Sequence, residues 1–269
     1  MIYQILAVIS FALISGNFAS VSAADLTAGR GIKDTYMPAP VTSHMAWYVR
    51  GDIGYAMHAD PDITESGLYD LDSTSMDDTW TAGLGIGRYF SSNFRGDITW
   101  DHRFEADVTG RTGEAPFQGG RRFGLSSDVL LANLYYDFKR GGHVTPYIGA
   151  GIGAVHHSSS TGIVIPDPCG CTGDILEKDK WSLAAALMAG ITIDFGGRTA
   201  YRGSIKDAPV AVDTRSRWHL DAGYRFLYLG DARTGDIVAN PGPGPTIAGD
   251  KVKDITAHEL RIGLRYDIH

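Results

Sequence analysis

The chain has 269 residues, with 24 Lys+Arg against 31 Asp+Glu for a net charge of -7, and 43% of it is hydrophobic. That apolar fraction is enough for a core and excludes wholesale disorder, while the acidic balance argues against nucleic-acid binding, which needs a basic face. After the first two dozen residues no apolar run reaches the roughly 20 residues of a membrane helix; the longest is Leu183 to Ile193.

The N-terminus reads as a cleaved export signal, residues 1–24. Ile5 to Ile14 forms its apolar core, and Val21-Ser22-Ala23-Ala24 supplies the small residues a signal peptidase accepts. Residues 25–46 then form a periplasmic lead-in, and 47–269 the folded domain.

The folded domain reads as strands of period two. Trp47 to His58 sets Trp47, Val49, Ile53, Tyr55 and Met57 against Tyr48, Arg50, Asp52, Ala56 and His58. Thr79 to Phe90 is rich in glycine (Gly83, Gly85, Gly87). Phe94 to Phe104 sets Phe94, Ile98, Trp100 and Phe104 against Arg95, Asp97, Thr99, Asp101 and Arg103. Asp128 to Phe138 has Leu130, Ala132, Leu134, Tyr136 and Phe138 on one face, with Asn133 and Asp137 opposite. Thr145 to His156 is again glycine-rich, and Trp181 to Phe195 aligns Trp181, Leu183, Leu187, Ile191 and Ile193. Trp218 to Gly230 sets Leu220, Ala222, Tyr224, Phe226 and Tyr228 against His219, Asp221 and Arg225. Ile255 to Ile268 sets Leu260, Ile262, Leu264, Tyr266 and Ile268 against Glu259, Arg261, Arg265 and Asp267.

These are eight strands, and an even count suits an up-and-down barrel. A soluble sandwich rarely stacks five polar residues on one strand face. The links alternate between long ones and short ones such as Ser91-Ser92-Asn93, as in an outer-membrane barrel; the 196–217 link is long where a short turn is expected. In lipid a sheet can span only by closing on itself, with apolar residues outward. The five Trp residues (47, 80, 100, 181, 218) are expected near the interfaces.

Four segments carry a family likeness: "AADL" (Ala23 to Leu26) followed by "WYVRGDIGY" (Trp47 to Tyr55), "PYIGAGIGA" (Pro146 to Ala154), "LDAGYRFLYLGD" (Leu220 to Asp231) and "HELRIGLRYDI" (His258 to Ile268). With these the chain resembles the small outer-membrane β-barrel proteins, the superfamily of the OmpA transmembrane domain and opacity-type antigens, and within it the porin-like surface antigens of alphaproteobacteria. The resemblance implies an all-β, eight-stranded antiparallel barrel in the bacterial outer membrane. It departs at Ile268, where such barrels usually carry Phe or Trp.

An eight-stranded barrel is just wide enough for its side chains to fill. The inward list holds Arg50, Arg95, Arg103, Arg225, Arg261 and Arg265 against Asp52, Asp97, Asp101, Asp221, Glu259 and Asp267. Six against six leaves no selectivity field, so the expectation is an ion-paired plug, with a narrow ion path as the alternative. The loop 59–78 is acidic without Lys or Arg, and lacks the spacing of a calcium loop. Cys169 and Cys171 in a third long loop form a candidate, strained local disulfide, an intermolecular bridge, or a metal site with His156 and His157. His156-His157-Ser158 has a His-x-Ser spacing as in outer-membrane lipid A deacylases, but offers no third member, so no enzyme and no cofactor are expected.

The expected function is structural: a surface antigen supporting envelope integrity and surface contact. The alternatives are a small porin, or an adhesin or receptor acting through its loops. The expected partners are outer-membrane lipid and lipopolysaccharide, the barrel-assembly machinery, and host or environmental ligands at the loops.

Overall fold

The structure is a computed structural model that describes residues 47–64, 71, 73–112, 119–138, 143–165, 172–195, 200–202, 210–212, 217–240 and 246–268. The expected leader (1–24) and lead-in (25–46) lie outside the described residues.

Alternating side chains make eight long strands: β1 (Trp47–His58), β2 (Thr79–Tyr89), β3 (Phe94–Thr112), β4 (Gly119–Asp137), β5 (Val144–Ser159), β6 (Lys178–Asp194), β7 (Trp218–Tyr228) and β8 (Thr256–Ile268). Each pairs antiparallel with the next, and β8 returns to β1 from Trp47↔Ile268 to His58↔Ala257, closing the wall. Closure leaves the membrane-spanning wall without an open edge.

The register also gives the stagger. A walk straight across the strands runs Ile191, Ala222, Ile262, Ile53, Ala82, His102, Asp128, His156, Trp181. It starts and ends on β6, ten residues apart, so the barrel has eight strands and a shear of ten. Such a stagger goes with strands tilted by about 35–45°, and every straight row climbs the barrel as a diagonal.

Outward positions are apolar and bare: Leu183 is 74% exposed, Trp181 68% and Ile152 66%. In water such a belt would drive aggregation; against lipid it is the required face. Trp47, Trp80, Trp181 and Trp218 sit toward strand ends. Trp100 departs from the expected interface position and lies within the wall, opposite Leu84 and Leu130.

The glycines have a packing reason. Gly83 and Gly87 on β2 face inward, where a Cβ would collide with Asp101 and with the Tyr48 ring. On β5, Gly149 and Gly151 leave the same room for Tyr135 and Asn133. Glycine-rich strands therefore stand beside strands bearing long inward side chains.

At the long-loop end β3 and β4 run on beyond the sequence expectation, past a bulge between Arg103 and Ala106. Segment 73–76 pairs with β3, and 162–165, 172–175, 237–240 and 246–247 add in turn from β4. A second sheet joins 62–64, 251–253 and 232–233. Together they make a β-structured crown. Val108, Phe123, Ile175, Leu229, Val252 and Ile255 form part of an apolar cluster that caps the barrel interior. At the other end, the long 196–217 link carries a short hairpin, Ala200–Arg202 with Val210–Val212.

Candidate functional site

The barrel interior gathers many of the buried charges of the described residues. Near the short turns, Arg95 Nε donates to Asp137 at 3.1 Å, and its guanidinium lies over the Tyr135 ring at 4.1 Å and the Tyr147 ring at 5.0 Å. Arg265 lies over Tyr48 and Tyr89 and within 3.5 Å of Asp221, which also accepts from the Thr192 hydroxyl. Asp267 meets Tyr89 Oη at 3.0 Å and His219 at 2.9 Å; the other imidazole nitrogen of His219 faces Asp194.

Midway, Arg50 bridges Asp52 at 2.6 Å and Asp97 at 3.1 Å. Asp97 also accepts from Tyr48 at 3.0 Å and Asn133 at 2.8 Å. Toward the crown, Asp101 takes Arg261 at 2.6 Å and Arg225 at 2.7 Å. Glu259 takes Arg225 at 2.5 Å and, at the far side, Arg103. Arg103 also donates to His58 Nε2 at 2.8 Å, since a guanidinium has only donors. Arg95, Asp101 and Glu259 are fully buried, and charges so buried persist only when paired and hydrogen-bonded.

All twelve inward residues of the sequence list thus lie in the interior, but the partners are not all arginines and carboxylates. Asp267 is held by His219 and Tyr89, and Arg95 by Asp137. Asp137 and the four tyrosines were not on the list, although their inward parity was available as a signal. A cavity of about 20 Å3 remains between Arg50, Asp52, Asp221, Arg225 and Arg261, the scale of one water molecule.

Other sequence candidates fall elsewhere. Cys169 and Cys171 lie outside the described residues, as do Glu65, Asp70 and Asp72 of the acidic loop. Asp78 accepts from Tyr55 Oη and the His58 N–H, both at 3.2 Å. Among the described residues no group of three or more His, Cys, Asp or Glu is arranged to hold a metal. Ser158 donates to Asp179 at 2.8 Å rather than to His156, whose Nε2 stands 3.9 Å from the same carboxylate. His157 is buried, bonded to Ser127 Oγ at 2.7 Å and the Leu229 carbonyl at 2.9 Å.

No family model matches the chain. An uncharacterized protein of Brucella abortus (strain 2308) is 29% identical over 294 aligned positions, covering 95% of this chain and 96% of its own. A Rickettsia bellii (strain OSU 85-389) protein named a candidate adhesin is 31% identical over 113 residues, 40% of this chain and 47% of that one. Among solved structures, the chain is similar to the outer membrane protein OprG of Pseudomonas aeruginosa, at 16% identity and a TM-score of 0.45, over 84% of this chain and 96% of that one. A wall closed by eight strands, apolar toward its surroundings and charged within, suits lipid and no other solvent: the chain is a small β-barrel built to span a lipid membrane.

Proposed function

We propose that the protein is a structural surface barrel that reinforces the outer membrane, presents its crown to the outside and does not conduct. The observation that carries this reading is the filled interior: guanidinium–carboxylate contacts follow one another from Asp137 to Arg103, and an apolar cluster lies above them. An ion path would need a continuous wet gap, whereas the cavity between these groups is about 20 Å3. The barrel meets membrane lipid and the lipopolysaccharide leaflet along its wall and is delivered by the barrel-assembly machinery. The reading is non-enzymatic, and Ser158 directed at a carboxylate instead of an imidazole supports it.

Planar-bilayer recording of the refolded protein tests it. A silent membrane with a heat-modifiable band on gels is expected; reproducible conductance steps, altered in Arg95→Ala or Asp97→Ala, would make it a small porin instead.

A second reading, contact with a host or environmental ligand, is favoured by the crown. Its segments are knitted into sheets, a rigid platform of the kind that binding surfaces use. The name of the Rickettsia relative points the same way. Replacing 59–78 and 157–180 should abolish cell binding while the barrel still folds; undiminished binding after both replacements removes this reading.

A further inference from the structure

A lipid-facing wall should be apolar from rim to rim, because a charged side chain on it costs about 2–4 kcal/mol at the midplane and less toward an interface. His258 on β8 departs from that, and so does one stretch of β3 and β4. His102 on β3 and Asp128 on β4 are cross-strand neighbours that point outward, and His102 Nδ1 lies 2.9 Å from Asp128 Oδ1. Phe104 stands edge-on to the imidazole at 5.1 Å, with Trp100 on its other side. His156 is the next neighbour of Asp128 on β5, and Asp179 on β6 stands 3.9 Å from it.

His102, Asp128 and His156 lie on the climbing diagonal that fixes the shear. Followed back from His102 it passes Ala82, Ile53 and Ile262; beside it runs the row Trp100, Leu84, Gly51, Leu264, Leu220. Gly51 and Ala82 lower the wall between the two rows. The result is a groove of about 620 Å3 that runs from Leu220, near the start of β7, to His102, two residues short of Phe104, where β3 leaves the lipid-facing wall. Its volume is that of a small-molecule site, about 300–1,000 Å3. Gly51 opens onto it: a Cβ there would meet only Leu84 Cδ2 at 3.5 Å and the Gly83 carbonyl at 3.9 Å.

We infer that this groove seats the hydrocarbon chain of one outer-leaflet amphiphile, with a hydrogen-bond-donating headgroup at His102 and Asp128. The groove faces lipid, so its occupant comes from the membrane. When His102 Nδ1–H donates to Asp128, Nε2 and the second carboxylate oxygen are left as acceptors, and the next carboxylate, Asp179, stands past His156 two strands farther round. Such a cluster matches hydroxyl or ammonium donors and opposes a phosphate. This goes beyond the structural role and fails independently of it, since a silent, stable barrel with or without a bound amphiphile remains structural.

Native mass spectrometry of the full folded protein, in a micelle of unrelated headgroup, tests this with four twelve-carbon probes: dodecyl glucoside, dodecylammonium, dodecyltrimethylammonium and dodecyl phosphate. One glucoside or ammonium molecule per barrel should be retained, about tenfold over the two probes without a donating head. Ala82→Phe fills the floor from the lipid side and should lower retention of every probe about tenfold in a barrel that keeps its heat shift. Asp128→Leu should keep the chain but level the probes. Retention of the glucoside alone identifies a glycolipid as the source, and of dodecylammonium alone a lipid whose headgroup ends in an amine and carries no phosphate. Variable stoichiometry, indifference to Ala82→Phe, or phosphate retained as well as glucoside would each overturn the inference.

Discussion

Glu259 is the residue whose removal should cost most for its size. It is fully buried and accepts from Arg103 and from Arg225 at 2.5 Å, with Arg261 at 3.8 Å. In Glu259→Ala, Arg225 and Arg261 keep Asp101 at 2.7 and 2.6 Å. Arg103 keeps a hydrogen bond to the uncharged acceptor His58 Nε2 and the more distant, already shared charge of Asp101. One guanidinium therefore loses its directly paired counter-charge in a closed interior, a loss of about 3–5 kcal/mol. Glu259→Gln retains an acceptor and should cost less. The double variant Arg103→Met/Glu259→Leu removes both charges, so it should be at least 2 kcal/mol, roughly, more stable than the sum of its single variants. Urea titration of the barrel in phospholipid vesicles, read by tryptophan fluorescence and by heat shift on gels, measures the wild type, Glu259→Ala, Glu259→Gln, the two single variants Arg103→Met and Glu259→Leu, and their double. A Glu259→Ala loss under about 1 kcal/mol, or additivity within about 0.5 kcal/mol, would refute the pairing as the source of interior stability.

Leu134→Arg places a charge on a half-exposed outward position and should cost about 2–4 kcal/mol in the same titration, falling toward the rims. Gly151→Val puts a branched side chain where Asn133 already stands; overpacking of about 1–3 kcal/mol is expected, with Asn133→Ala restoring part of it, and a neutral Gly151→Val would contradict the packing account of the glycines. In the crown, burial pushes the Asp250 carboxyl above its ordinary value, with Arg121 pulling it down. A raised folded-state value means the folded crown holds the proton more tightly than the unfolded chain. The crown should therefore gain stability as pH falls from neutral toward the carboxylate range and lose it as pH rises. Amide exchange across 232–253, corrected for intrinsic rates, should show that slope, and Asp250→Asn should flatten it.

Strand placement was legible because alternation is a local property: once Trp47 faces out, Tyr48 must face in, whatever the partner strand. The starts of β1 and β7 were readable to the residue. The upper reaches of β3 and β4 were not, because beyond Phe104 both faces turn partly polar as the strands leave lipid and enter the crown. The crown itself escaped detection: 162–165, 172–175 and 237–240 are too short to show a period, and they become strands only by pairing with one another.

By itself the sequence determined the class of fold and the inward or outward facing of the wall residues, since both follow from period two and the need to bury backbone in lipid. Which arginine meets which carboxylate was decided by tertiary structure. Arg103 and Glu259 are 156 residues apart in the chain, and Arg95 reaches Asp137 on the neighbouring strand instead of any acid on the inward list. Those choices follow from the shear, a property of the closed ring that no single strand carries. A different stagger would slide every row along its neighbour, repair the interior charges in other combinations, and part His102 from the groove it now ends.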